Sequence, residues 1–398
     1  MPALEIRRED KPRGGASLTP RPPELESVRI LQRMGPVSLG VSLPRSWVEE
    51  HRLRVGSPVH LRIVSDRTLR VRPTESPVTE GARFRIDVES GMLPEHTFRC
   101  LLGAYLDGAV EFEVVQRGGV TAETRSVART FARRTIQPEV LSEETERLLL
   151  QDVSDASPVP LPKLLGRMGQ LVLALHRDAG ASWGKISVGR EVPWESRDDE
   201  VDRQAWFIER CAVRMLDGRG DGAAAGLPGI GALGCWTVAR SLERIADHAV
   251  KMAETGSRLA EAPTPQQQIV ALQQFHEQAL RHLSSVLEAL AEDSGGRANE
   301  LLDTGEALHE VSRTLYERLF TSGGANSSLP PSMAIPLGRI LESIDRTVAY
   351  AQDIAQVALD RALPPPRPPA AILEPTGVPS TVSHATKKET HKGEGGKR

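Results

Sequence analysis

Cysteine is scarce in this chain. Its three residues, Cys100, Cys211 and Cys235, lie far apart among 398 positions, with no Cys-x-x-Cys pair and no histidine at metal spacing. That excludes a disulfide-stapled scaffold and reads as buried or neutral thiols in a reducing, cytoplasmic setting. No apolar run approaches the roughly 18 residues needed to cross a bilayer. The N-terminus is polar and proline-rich rather than a charged start followed by an apolar stretch, so no secretory leader is expected. Net charge is nearly absent, −3 over the whole chain, and no global field points to nucleic acid or to a membrane. Also missing are a glycine-rich phosphate loop, the Glu-x-x-His pair of a di-iron bundle and a general acid or base with a partner to orient it.

What is present is a long amphipathic helix around Trp236–Glu254. Leu242, Ile245, Ala249 and Met252 recur at three- and four-residue spacing and mark one apolar stripe. Glu243 and Asp247 are one turn apart on a shared face, where like charges repel unless a cation lies between them. A lone pair of this kind is most simply a solvated acidic edge. A second pair, Asp198 and Asp202, has the same spacing in another expected helix. On adjacent antiparallel helices the two pairs bring four carboxylates to one point, an all-oxygen site for a hard cation. The cofactor expected there is a divalent or trivalent metal ion: Mg, Mn, Fe or Zn. Asp198 and Asp199 also lie near a helix start, where the helix dipole alone favours them, but Asp202 is a turn further in.

The run from Ala239-Arg240-Ser-Leu-Glu243 through Asp247 to Glu254 resembles the signature helix of the PhoU phosphate-signalling family. Asp198-Asp-Glu-Val-Asp202 resembles its other signature. The resemblance implies two tandem three-helix bundles with metal held by paired acidic motifs. It also implies a phosphate ABC transporter or a sensor kinase as partner.

The expected fold is multidomain α+β. Residues 1–24 and 363–398 are proline-rich with few apolar residues and are expected to be disordered, the latter as a basic tail. Residues 25–75 read as short strands, a helix opened by Pro44, and a hairpin. Ser38-Leu-Gly-Val-Ser-Leu-Pro44-Arg-Ser-Trp-Val48, with Leu53-x-x-Gly56 after it, is similar to the SpoVT/AbrB domain, in which two chains interlace hairpins into one small β-barrel. That implies a homodimer through the N-terminal domain. Between 27 and 73, nine arginines face three acidic residues, a net +6 that leaves −9 for the rest. A basic module on an acidic protein is an electrostatic footprint for DNA. Arg29, Arg33, Arg45, Arg52 and Arg54 are the candidate DNA contacts; the plainer alternative is that strand-borne arginines keep edges soluble.

Residues 82–150 read as an α/β linker domain, 163–260 as a first three-helix bundle and 265–362 as a second. Arg339-Ile-Leu-Glu342 echoes Arg240-Ser-Leu-Glu243 after 99 residues. The second copy lacks the chemistry, because Arg346 stands in the place of Asp247, and Gly305 and His309 in those of Asp198 and Asp202. A guanidinium there repels a metal. One metal site is therefore expected, with Arg346 bridged to Glu342. His176 reads as a packing or capping residue. Three functional readings follow: a non-enzymatic, DNA-binding regulator of phosphate uptake; an adaptor that dimerises and regulates a transporter or its kinase without touching DNA; and, more remotely, a metal-dependent hydrolase.

Overall fold

In the computed structural model, the residues described are 6–8, 28–65, 68–73, 83–153, 160–183, 193–216, 229–259, 266–320 and 329–363. Of the stretches expected to be disordered, residues 1–5, 9–24 and 364–398 lie outside this set. One short part of the N-terminal stretch departs from expectation. Ile6–Arg8 (β1) forms an edge strand, with Ile6 opposite Ile86 and Arg8 opposite Phe84.

The basic N-terminal module consists of β2 (Gln32–Arg33) paired with β3 (Leu39–Gly40), the helix α1 (Arg45–Glu50), and a hairpin of β4 (Val59–Ser65) and β5 (Thr68–Pro73). The two ribbons are separate two-stranded sheets, and among the described residues they do not close into a barrel. Each strand has one partner in its own chain, and α1 buries no residue. Many apolar side chains of the module stay in solvent: Val28 is 96% exposed, Leu61 62% and Leu69 56%.

A five-stranded sheet follows, in the order β1-β6-β7-β9-β8. β6 (Arg83–Asp87) and β7 (Glu111–Val115) run parallel, joined by the crossover helix α2 (Pro94–Leu106). The helix α3 (Ala122–Arg134) leads into the antiparallel pair β8 (Pro138–Glu143) and β9 (Arg147–Asp152). β7 alternates as a half-buried strand must, with Phe112 and Val114 inward and Glu111 and Glu113 outward. Thr121 caps α3 by accepting the Thr124 N–H, and Arg133 and Arg134 close it at the negative end of its dipole. Phe131 centres the core, edge-on to Tyr105 and Phe112.

The helical half has α4 (Leu161–Ser182), α5 (Trp194–Leu216) and α6 (Gly229–Leu259), then α7 (Gln266–Ala291), α8 (Gly295–Phe320) and α9 (Pro331–Ala362). The two triplets lie side by side, α6 along α9 and α4 beside α7. Their apolar core is continuous, running from Leu173, Ala239 and Leu242 to Leu283, Val286 and Ile354. Fully buried alanines on both long helices, among them Ala246, Ala249, Ala351 and Ala355, keep the side chains between them short. None of the described helices is long and apolar enough to cross a membrane.

Candidate functional site: a carboxylate cluster bridged by an arginine

α5 serves two cores at once. Val201, Ala205, Ile208 and Ala212 face the bundle. Arg203, Trp206 and Arg210, at spacings of three, four and seven, meet the α/β domain instead. Arg210 is the deepest of these, 1% exposed. It donates to the Tyr105 carbonyl at 2.6 Å and to Asp152 Oδ2 at 3.1 Å, and its guanidinium lies 4.5 Å from the centre of the Tyr105 ring. Burial pulls its pKa down, while Tyr105 and Asp152 oppose that shift. A cation held by two acceptors and an aromatic face fixes the angle of α5 on the sheet domain. The sequence offers no local sign of this, since Arg210 and Tyr105 are 105 residues apart.

The four expected ligands come from facing helices, Asp198 and Asp202 from α5 and Glu243 and Asp247 from α6. They lie close enough to sense one another's charge. Burial, then the charges of Asp198 and Glu243, push Asp202 up to about 7. Burial, then Asp247 and Asp199, push Asp198 up to about 6. Burial also raises Glu243, against the pull of Arg240. Asp247 pairs with Lys251 at 3.6 Å. Asp198 Oδ1 and Glu243 Oε2 are buried and accept no hydrogen bond. Two orphaned carboxylate oxygens in a crowded acidic pocket are a cost that a cation would remove.

The chemistry of the donor set thus suits an oxygen-seeking cation. The geometry is not closed around one, because among the described residues no three acidic, histidine or cysteine side chains are arranged to hold a metal ion. The charge is met in part by a residue that sequence reading missed. Arg134, at the end of α3, reaches across from the α/β domain, its Nη2 2.6 Å from Asp199 Oδ1 and 3.0 Å from Asp202 Oδ2. Its guanidinium carbon lies 5.3 Å from the Trp206 ring centre and 5.7 Å from that of Phe98.

The matching place in the second bundle differs. His309 Nδ1 is 2.8 Å from Asp345 and its Nε2 2.9 Å from Gln352. The expected Glu342–Arg346 bridge is not among the ion pairs of the described residues, and it is Asp345, on the neighbouring face, that finds a partner. Gly305 is packed so closely that an added Cβ would lie 2.5 Å from Gln352 Cγ. A cleft of about 720 Å³ opens beside His309, Tyr316 and Arg339.

The five candidate DNA-contacting arginines are all exposed. Arg45 is held by Glu49 at 2.7 Å, and Arg33 reaches the Pro36 carbonyl at 3.5 Å. Arg52 adopts a left-handed conformation, φ 51°, where α1 ends. The thiols are unpaired, and burial raises all three, Cys211 to about 11, so they stay protonated near neutral pH.

No curated protein matches the chain. Among solved structures, PhoU from Pseudomonas aeruginosa is 22% identical, with 50% of this chain and 94% of that chain covered at a TM-score of 0.45. The phosphate transport system regulatory protein PhoU from Streptococcus pneumoniae is 16% identical, with 50% and 92% covered at a TM-score of 0.39. Over residues 165–256, the stretch from α4 to α6 that carries all four carboxylates, the chain matches the family model of the PhoU domain.

Proposed function

We propose that this protein is a non-enzymatic regulator of phosphate uptake. The observation that carries the reading is the match to the PhoU domain over the stretch that contains the carboxylate cluster. In this reading the helical half docks on a phosphate transporter or its sensor kinase. Asp198, Asp202, Glu243 and Asp247 would be the residues to hold a divalent or trivalent cation, which would offset their negative charge. The residues themselves set its site. α5 carries two of the ligands and also docks the α/β domain through Arg210, so a change at the cluster has a rigid path toward the N-terminal half.

The N-terminal module is the dimerisation and DNA-binding unit. Its exposed apolar side chains, Val28, Leu61 and Leu69 among them, support a second copy of the chain as their cover. Its exposed arginines and net +6 charge support contact with duplex DNA. A second reading, an adaptor that dimerises without touching DNA, is favoured by the capture of Arg45 by Glu49.

Two measurements test this. Phosphate uptake is followed in cells that lack the protein and in cells that regain it. Deregulated uptake, restored by the gene, supports the reading; identical uptake sinks it. Duplex DNA anisotropy is measured across a salt series for the full chain and an Arg33→Ala/Arg45→Ala form. A salt slope that shrinks in the variant supports DNA reading; absence of binding leaves the adaptor.

A further inference from the structure

We infer that the cleft between α8 and α9 is a binding site for a small organic acid, whose carboxylate pairs with Arg339 and whose apolar body lies between Tyr316 and Ile335.

The second bundle repeats the first with a partner taken away. Arg339 stands in the place of Arg240, and His309 in that of Asp202. Seven residues beyond Asp202, two helical turns, is Glu209; seven beyond His309 is Tyr316. Four residues before Arg240 is Trp236; four before Arg339 is Ile335. In the first bundle the three side chains meet. Arg240 Nη1 lies 3.4 Å from Glu209 Oε1, and the Trp236 indole N–H also acts on that carboxylate. Glu209 is buried, so an acid is held inside by an arginine and an indole.

In the second bundle the counterparts again lie together, as walls of one cleft, but the acid is replaced by a phenol and the indole by a smaller aliphatic side chain. Among the described residues Arg339 makes no ion pair. The cleft holds about 720 Å³, within the range of roughly 300–1,000 Å³ that suits a small molecule. Tyr316 and Ile335 are 55% and 57% exposed on its two sides, and Gly338 and Leu341 add apolar lining.

The remaining polar groups of the cleft narrow the ligand. His309 spends both ring nitrogens, on Asp345 at 2.8 Å and on Gln352 at 2.9 Å. Arg313 is held by Glu310 at 2.5 Å. Arg339 is left as the cation for an anion, and a charge-assisted pair there is stronger than a neutral hydrogen bond. Glu342 lines the same cleft and opposes a second negative charge on the ligand. The chemistry that fits is a monocarboxylate with an aromatic or aliphatic body, which returns the two groups that the second bundle lacks.

The experiment titrates full-length protein by calorimetry with indolepropionate, with phenylpropionate, and with indolepropionamide, which keeps the ring and lacks the charge. Wild type is compared with Arg339→Gln and with Tyr316→Glu/Ile335→Trp, which restores the acid and the indole of the first bundle. Expected are saturable binding of at least one acid to wild type, affinity about tenfold weaker in Arg339→Gln and for the amide, and no binding to the double variant. Absence of binding by both acids, an amide as tight as its acid, or an Arg339→Gln form as tight as wild type overturns the assignment. So does a folded double variant that binds like wild type. Arg339 is exposed, so its glutamine form is expected to fold. Should the double variant fail to fold, Arg339→Gln and the amide decide in the same way.

Discussion

His176 Nδ1 lies 3.2 Å from His276 Nε2, so that the first helices of the two bundles meet through a pair of buried imidazoles. The other His176 nitrogen, Nε2, is 2.8 Å from the Ile245 carbonyl, which can only accept. His176 therefore carries its proton on Nε2, its Nδ1 accepts, and His276 donates from Nε2. Both rings are neutral in this arrangement. Burial pulls His176 down to about 3 and His276 to about 4. A third ring, His282, is also pulled down by burial, to about 4.

This gives a pH dependence. The folded pKa values lie below the unfolded value of about 6.5, so the unfolded chain binds more protons once pH drops below that value. Stability is fully present above pH 6.5 and is lost as pH falls toward 4. From pH 7 to pH 5, each of the paired histidines should contribute a loss of about 2 kcal/mol. Urea unfolding at the two pH values checks it. A His176→Leu/His276→Leu form, which removes both partners together, should lose less stability over that interval; an undiminished loss would show that other groups carry it.

Arg210 is expected to be the most sensitive charged position. Arg210→Ala leaves the Tyr105 carbonyl and Asp152 without their buried cation, at a cost of about 3–5 kcal/mol. Arg210→Lys keeps the charge but lacks the planar fork, and should fall between the two. Denaturant unfolding monitored at the α/β domain measures both. A loss below about 1 kcal/mol for the alanine form would contradict the role given to this residue.

Removing one ligand from each helix tests the metal reading directly. Asp202→Asn with Asp247→Asn should abolish stoichiometric metal in protein purified without chelator, as counted by plasma mass spectrometry. Metal content equal to wild type would exclude the cluster as its site.

The exposed hairpin predicts a dimer. Leu61 pairs across the ribbon with Val71, and Leu69 lies two residues further along the same face. A Leu61→Arg change should convert a dimer to a monomer in light scattering and leave helical content unchanged. A wild-type monomer, or a variant that stays dimeric, would exclude this face as the interface.

Local pattern carried much of this architecture. The apolar stripe read from Leu242, Ile245, Ala249 and Met252 lies within α6, and all four side chains are buried. Two strands that line the α/β core, β8 and β9, were not legible. β9 has three leucines in a row, so its alternation between buried and half-buried positions appears only when β7 lies on one side and β8 on the other. The edge strand Ile6–Arg8 was hidden among prolines, because pairing to β6 supplies what its own composition lacks.

The same division holds at the site. Spacing alone put Asp198 with Asp202 and Glu243 with Asp247, since residues four apart share a helix face whatever surrounds them. By itself the sequence determined the helices, their apolar stripes and the two acidic pairs. Tertiary structure decided which charges meet. Arg134 reaches Asp202 across 68 residues, and His176 reaches His276 across 100. Such contacts arise from the packing of whole elements, and local periodicity, which ends within a helix, has no means of encoding them.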